Sequence, residues 1–188
     1  YQIYAQALGD LTKKYFTIAI SGMHGKSTTT AMIALILVEA GFDPTVIVGT
    51  KLREFGNSNF RFGKSKYLVI EADEHFASFL NYWPKIIVLT TIEADHLDYW
   101  KTLKNLIKGF QKYTTHIPQD GILVANKDDK NIQSILAGSK TKVQGYSIKQ
   151  KEADILRKIL KIPGEHNVSN ALAALAVART LGIKDKTS

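Results

Sequence analysis

The 188-residue sequence predicts an α/β fold with three layers: a mainly parallel sheet with a phosphate-binding loop and with helices on both faces. Three observations support this prediction. Short apolar segments alternate with helical segments along the whole chain. The first apolar segment ends in a glycine-rich turn that contains Lys26 and Ser27. Two later apolar segments end directly in clusters of acidic residues or histidine, as expected where parallel strands open onto a binding site.

The first half of the chain alternates strictly between these two kinds of segment. Residues 1–14 predict a short helix, and the helix that begins near Lys26 is apolar almost all round, which indicates burial. Gly41 and Pro44 end it. The polar residues 51–66 predict a loop, with a hairpin as a further option. The predicted strands are 16–20, 45–48 and 67–70.

The second half continues the pattern. Leu103, Leu106, Ile107 and Phe110 recur at helical spacing and predict an amphipathic helix. Segments 85–89, 121–125 and 142–146 predict strands. One further helix is predicted to follow the turn at 126–129 and end at residue 136, and another is predicted after residue 167. Residues 140–161 hold seven basic and two acidic residues, which we interpret as a solvated face or a rebuilt edge of the sheet.

Composition narrows the function classes. Apolar residues make up 45% and charged residues 22%, as in ordinary globular proteins. No segment is typical of a membrane span or a signal peptide, and cysteine is absent, so we expect a cytoplasmic protein without a membrane partner. The formal net charge of +8 suits anionic substrates. Without an arginine-rich tract, it does not indicate a nucleic-acid partner.

The segment Ser-Gly-Met-His-Gly-Lys-Ser at 21–27 is typical of a phosphate-binding loop. Glycines let backbone N–H groups approach phosphate oxygens, and the next helix presents its positive end to the same anion. Lys26 would reach the β- and γ-phosphates of a nucleotide, and the Ser27 hydroxyl would bind Mg²⁺. The loop is compressed, because Ile20 stands where the usual pattern has its first glycine. The structural alternative is a glycine-rich turn with an unrelated lysine.

Carboxylates and a histidine follow the strands that we expect beside this loop. Glu71 follows strand 67–70 and is a candidate Mg²⁺ ligand, although acidic residues are also common where helices begin. His96 lies between Asp95 and Asp98, after strand 85–89, and is a candidate for a second metal position. The alternative for His96 is a helix cap. If the strands are neighbours, His96 and Glu71 should face one another across the phosphate loop.

Four stretches in this order resemble the central domain of the Mur ligases, which form amide bonds in peptidoglycan synthesis. They are 22–30, 71–74 with 77–80, 90–98 and 163–171. They are most similar to the branch that joins L-alanine to UDP-N-acetylmuramate. The resemblance implies an ATP-dependent ligase in which the muramate carboxylate attacks ATP to form an acyl phosphate. The amino acid then displaces phosphate to form the amide.

The resemblance also implies residue roles. Lys26 would stabilise the transferring phosphoryl group, and His96 would hold a second Mg²⁺ near the substrate carboxylate. Ser27 and Glu71 would hold the first Mg²⁺. The implied ATP-binding residues are Gly22, Met23, His24, Gly25, Lys26, Ser27 and Thr28 around the phosphates, and His166, Asn167 and Asn170 near the adenine.

The sequence also departs from the family pattern. Met23 stands where threonine is usual, and Thr91 replaces an asparagine, which puts any hydrogen bond from that amide in doubt. The family has three domains, so we expect residues 1–188 to be a single central domain without the uridine-nucleotide and C-terminal domains, with little ligase activity alone. The open alternatives are a murein-peptide or folylpolyglutamate ligase, and a module that only binds nucleotide. A second metal ion at His96 would argue against a module that only binds nucleotide.

Overall fold

A computed structural model describes residues 3–185 and contains one sheet of seven strands in the order β3-β2-β4-β1-β5-β6-β7. The strands are β1 (Phe16–Ser21), β2 (Thr45–Leu52), β3 (Ser58–Arg61), β4 (Tyr67–Glu71), β5 (Ile86–Leu89), β6 (Ile122–Asn126) and β7 (Lys142–Tyr146). All neighbouring strands are parallel except β2 and β3, which form an antiparallel hairpin at one edge. The predicted mainly parallel sheet is confirmed, and segment 51–66 takes the hairpin option.

Seven α-helices connect or flank the described strands. They are α1 (Tyr4–Thr12), α2 (Lys26–Glu39), α3 (Leu97–Trp100), α4 (Leu103–Thr114), α5 (Lys130–Leu136), α6 (Lys151–Ile159) and α7 (Glu165–Thr180). A 3-10 helical segment, His75–Asn81, follows β4. Residues 1 and 2 of the predicted first helix lie outside the described residues. None of the helices within residues 3–185 combines the length and apolarity that a bilayer span requires.

Two apolar cores lie on opposite faces of the sheet, because successive side chains of a strand point to opposite faces. On one face, Ile18 and Ile20 of β1 belong to a core shared with α2, α6 and α7. On the other face, Ala19 belongs to a core shared with α1, α4 and α5. The predicted three layers are thereby confirmed.

The basic segment 140–161 forms two elements, the edge strand β7 and the helix α6. Helix α6 buries Ala153 against α2 and α7, while most of its other residues are exposed or half-buried. Arg157 forms ion pairs with Asp154 and Glu165, both at 2.7 Å. Part of the basic charge therefore attaches α6 to the start of α7 and does not form an isolated basic surface.

Strand β1 lies between β4 and β5, so the phosphate loop after β1 is flanked by the ends of these two strands. The chain leaves β4 and crosses β1 to reach β5. Ligands of open α/β sheets bind at the carboxyl ends of the strands, where the strand order reverses in this way. The prediction that β1, β4 and β5 are neighbouring strands is confirmed.

Candidate functional site

Two glycines shape the loop between β1 and α2. Gly22 has φ = 133° and Gly25 has φ = 80°, conformations that side-chain-bearing residues rarely adopt. A Cβ at Gly22 would lie 2.3 Å from Thr90 Oγ1, and one at Gly25 would lie 2.3 Å from Asn170 Oδ1. The loop is therefore closely packed between the end of β5 and helix α7.

Helix α2 begins at Lys26, and no side chain among the described residues caps it. The first N–H groups of a helix lack partners within the helix and carry partial positive charge. Ser27 and Thr28 lie in this first turn and are both half-buried. The start of α2 could therefore accept an anion, and the phosphate-binding role of the loop stays a prediction.

Thr90 and Thr91, at the end of β5, hold the middle of the loop. Met23 N–H donates to Thr91 O at 2.8 Å, and His24 N–H donates to Thr91 Oγ1 at 3.1 Å. Thr90 Oγ1 donates to His24 O at 2.7 Å. Thr91 therefore contacts the loop through its hydroxyl and carbonyl, although it lacks the amide of the family pattern.

Met23, which the resemblance places among the ATP-binding residues, is part of this arrangement. Its N–H is already paired, and its side chain is buried in the core that also contains Ala19. Met23 is therefore oriented towards the protein interior, and its role is to fix the loop. The backbone N–H groups of Met23 and His24 are thus both paired with Thr91.

Lys26 and His96 converge on one carboxylate, that of Glu74. Lys26 Nζ lies 3.2 Å from both Glu74 oxygens and also donates to Gly22 O at 2.7 Å. His96 Nε2 lies 3.6 Å from Glu74 Oε1. The Glu74 side chain is fully buried. Burial raises the pKa of the Glu74 carboxyl above its usual range, and the Lys26 ammonium opposes this shift.

Glu71 occupies a different position from the one predicted. It pairs with Ile20 in the sheet, and its carboxylate accepts a hydrogen bond from Gly49 N–H on β2 at 2.6 Å. The acidic partner of His96 is therefore Glu74, three residues further along the same acidic run. The strands that carry the acidic run and His96 lie on either side of the loop as predicted, and the carboxylate next to His96 is that of Glu74. The Mg²⁺ role of Glu71 stays a prediction.

Two clusters of donor atoms that could hold a metal ion share His96. One combines it with Asp73 and Glu74, and the other combines it with His75 and Asp98. Within each cluster the donor atoms lie within 4.8 Å of one another. Sequence reasoning missed Asp73, Glu74 and His75. The acidic run 71–74 was a signal for the first two, whereas nothing in the pattern distinguished His75 from an exposed loop residue.

A pocket of about 430 Å³ adjoins the loop, and two of the three residues that the resemblance placed near an adenine, His166 and Asn170, line it. It is lined by His24, Gly25, Thr90, Thr91, Glu93, His166, Ser169 and Asn170. Asn167 does not line it. Its Nδ2 donates to Pro163 O at 2.7 Å, and its Oδ1 accepts a bond from Asn170 at 3.4 Å. Asn167 therefore contacts the pocket only through Asn170.

Replacing Gly25 by alanine should lower the free energy of unfolding more than the same change at Gly41. Both glycines have left-handed φ values, 80° and 77°, so each alanine variant carries a strain of about 1–2 kcal/mol. Within residues 3–185, no atom apart from those of its chain neighbours lies within 4 Å of a Cβ at Gly41, whereas one at Gly25 would meet Asn170. Urea unfolding should show a larger loss of stability for Gly25→Ala. Equal losses would contradict the close packing of the loop on α7.

Comparisons with known proteins agree with this geometry. Residues 20–162 match the sequence profile of the Mur ligase middle domain. A UDP-N-acetylmuramate–L-alanine ligase from Caldicellulosiruptor saccharolyticus is 44% identical, with 97% of this chain and 45% of that protein covered. The chain therefore spans less than half the length of this relative.

Solved structures give the same result. A UDP-N-acetylmuramate:L-alanyl-γ-D-glutamyl-meso-diaminopimelate ligase from Neisseria meningitides has a TM-score of 0.83 at 27% identity, covering 95% of this chain and 66% of that one. A UDP-N-acetylmuramate–alanine ligase from Thermotoga maritima has a TM-score of 0.79 at 25% identity, covering 98% and 45%. The profile match extends over most of the sheet and includes the loop, Glu74 and His96, and so the chain belongs to the Mur ligase family as its middle domain.

Proposed function

We propose that this chain is the nucleotide-binding middle domain of an ATP-dependent ligase that joins L-alanine to UDP-N-acetylmuramate in peptidoglycan synthesis. One observation carries the proposal: Lys26 and His96 meet at the buried Glu74 carboxylate, beside an uncapped helix N-terminus. The 44% identity to a ligase of that specificity supports the choice of substrates. The cytoplasmic location expected from the sequence stays a prediction.

ATP would lie along the carboxyl edge of the sheet. Its phosphates would accept hydrogen bonds from the first turn of α2, and its adenine would enter the pocket that His166 and Asn170 line. Lys26 Nζ has three donor positions and now uses them on Gly22 O and Glu74. By exchanging one of these contacts for a phosphate oxygen, Lys26 would place positive charge where negative charge develops during transfer.

The acidic residues here fit Mg²⁺, which prefers oxygen ligands and retains several waters. Glu74 is a fully buried carboxylate whose pKa is raised by burial, with the Lys26 ammonium 3.2 Å away. Donor atoms of Asp73 and His96 lie within 4.8 Å of it. Ser27, in the first turn of α2, carries the hydroxyl that the sequence predicts as a further ligand. Bound Mg²⁺ would neutralise the phosphates and the substrate carboxylate as they approach one another. Glu74 and Asp73, together with Ser27 and His96, are the proposed ligands.

The proposed reaction has two steps. A carboxylate oxygen of UDP-N-acetylmuramate attacks the γ-phosphorus of ATP, the bond to the β-γ bridging oxygen breaks, and ADP leaves. The L-alanine amine then attacks the acyl carbon, loses a proton, and releases inorganic phosphate. Lys26 would stabilise the phosphoryl group during its transfer and in the acyl phosphate. The N–H groups of the loop would hold the nucleotide in place. Because the relatives are more than twice as long, we assign this reaction to a ligase that contains the chain, and expect the chain alone to bind ATP without forming the amide.

A peptide-adding ligase is the second candidate, because the Neisseria structure of that type has a TM-score of 0.83 to this chain. Both candidates share the nucleotide chemistry. The amine substrate distinguishes them in the full ligase. Phosphate release that depends on L-alanine supports the first, and release that depends on a peptide containing a diamino acid supports the second.

Calorimetric titration of the chain with ATP, with and without Mg²⁺, tests the nucleotide site. Binding should require Mg²⁺, and Glu74→Gln should weaken it by roughly tenfold, because a lost charged contact costs about 1.5 kcal/mol or more. Glu71→Gln is the matched control, since Glu71 contacts Gly49 and lies outside both metal-capable clusters. It should leave the affinity within about threefold of the parent's.

If Glu71→Gln weakened ATP binding more than Glu74→Gln does, Glu71 would be the Mg²⁺ ligand, as predicted from the sequence. No effect of either variant, with Mg²⁺-independent binding, would contradict a metal at this edge of the sheet. Lack of any ATP binding by a folded chain would contradict the nucleotide site itself.

A further inference from the structure

A second donor cluster lies beside the one assigned to Mg²⁺ and contains two imidazoles. His75 Nε2 lies 3.7 Å from Asp98 Oδ2, and the His75 and His96 rings stack with centroids 4.4 Å apart. Donor atoms of these three residues all lie within 4.8 Å of one another. Two donors on one tetrahedral ion lie about 3.4 Å apart when each bond is about 2.1 Å. The cluster is therefore close to the size of a metal site.

The backbone is strained at the residues that orient His75. Phe76 and Ala77 have φ values of 51° and 54°, in the left-handed region that bulky residues avoid. This turn places the Phe76 ring 4.0 Å from the free face of His75, so that His75 is stacked between Phe76 and His96. His96 itself has φ = 51°. Strain at three neighbouring residues persists only where packing imposes it, and it clusters at functional sites.

A third observation concerns the Nε2 nitrogen of His75. His75 Nε2 is buried and has no hydrogen-bond partner among the described residues. The Asp98 carboxylate, at 3.7 Å, is too far for a hydrogen bond. A buried polar atom without a partner costs about 1–3 kcal/mol, and a bound cation would satisfy it.

We propose that His75, His96 and Asp98 bind a divalent transition-metal ion of the Co²⁺, Ni²⁺ or Zn²⁺ type. Imidazole nitrogen suits these ions, whereas Mg²⁺ and Ca²⁺ prefer oxygen. The cluster with Asp73 and Glu74 supplies two carboxylates and suits Mg²⁺, while the cluster with His75 supplies two nitrogens and one carboxylate. Because both clusters use His96, the two kinds of ion compete for one imidazole.

Binding requires a small rearrangement. The two rings are nearly parallel, with 13° between their planes, so their nitrogen lone pairs lie in two nearly parallel planes. A shared ion requires the nitrogen edges to tilt towards one another. Rotation about the Cβ–Cγ bond of histidine is soft, so this tilt needs no backbone change. Asp98 is 70% exposed at its side chain and is able to follow.

Co²⁺ titration of the untagged, metal-free chain tests the proposal, because the visible absorption of bound Co²⁺ reports its ligand geometry. The titration contains no nucleotide, so its outcome is independent of ATP binding. We expect one Co²⁺ ion to bind per chain. In His75→Phe, we expect the Co²⁺ affinity to fall by roughly tenfold or more. This variant keeps a ring in the stack and removes the nitrogen. A Zn²⁺ titration by calorimetry should give the same order of affinities.

His116→Phe is the matched control, because that imidazole stacks on Trp83, outside both clusters, and should not affect Co²⁺ binding. Asp98→Asn changes an exposed residue and should weaken Co²⁺ binding even if His75→Phe does not fold. Equal Co²⁺ affinity in the parent and both cluster variants would overturn the proposal. It would also be overturned if Glu74→Gln weakened Co²⁺ binding more than these variants do, since the ion would then occupy the carboxylate cluster. Absence of saturable binding would overturn it as well.

Discussion

Lys26→Ala is expected to weaken Mg²⁺-dependent ATP binding by about 10- to 100-fold, the equivalent of one or two hydrogen bonds from a charged donor. Lys26 Nζ is positioned at the loop by Gly22 O and Glu74, so alanine removes both the positive charge and its fixed orientation. Calorimetric titration with ATP measures the loss. Lys108→Ala, on the exposed face of α4, is the control and should bind ATP as the parent does. A folded Lys26→Ala chain with the affinity of the parent would show that the loop does not bind phosphate.

The same variant should lose stability in a pH-dependent way. Glu74 is fully buried, and removing its ammonium partner leaves a buried carboxylate uncompensated, at a cost of up to about 3 kcal/mol. The pKa of Glu74 is already raised from 4.5 in the folded chain, and loss of Lys26 raises it further. The folded chain then binds more protons than the unfolded chain at pH values between the two pKa values. Stability therefore rises as pH falls through the folded pKa towards 4.5. Urea unfolding at several pH values should show the deficit shrinking in acid, and a deficit that grows in acid would contradict this account.

Phe79→Ala is expected to lower the free energy of unfolding by about 3–5 kcal/mol, the usual range for deleting a fully buried aromatic ring. The Phe79 ring is 0% exposed and packs against Phe110 at 5.0 Å and Tyr113 at 4.6 Å between centroids. It also contacts Trp100, whose Nε1 donates to Glu74 O at 3.1 Å. The cavity would therefore lie directly beneath the turn that positions Glu74.

Phe60→Ala provides the comparison, because that ring is 48% exposed on the edge strand and should cost no more than about 0.5 kcal/mol. Urea unfolding followed by tryptophan fluorescence measures both variants. Similar losses for Phe60 and Phe79 would contradict the assignment of Phe79 to the core. A Phe79 variant that keeps its stability but loses ATP binding would assign it a role in the site alone.

Much of the fold was predictable because the relevant signals are local. Segments of four or five residues between turn residues predicted six of the strands, and helical spacing from Leu103 predicted α4. The loop glycines, Lys26 and Ser27 lie within six residues of sequence, 22–27, so the phosphate-loop pattern was visible without the structure. Parallel strands present all their carboxyl ends on one edge, and this rule was sufficient to place the ends of β1, β4 and β5 together.

The sequence by itself therefore determined the α/β class, the phosphate loop and the edge on which the site lies. The tertiary structure decided which side chains meet there. Glu71 ends a strand, and its side chain lies towards Gly49, whereas Glu74 follows a turn that returns it to Lys26 and His96. The left-handed turn after Glu74 also stacks His75 on His96. The direction of a side chain at the end of a strand depends on which face of the sheet that position occupies and on backbone torsions that packing imposes. The spacing of the residues along the sequence encodes neither of these.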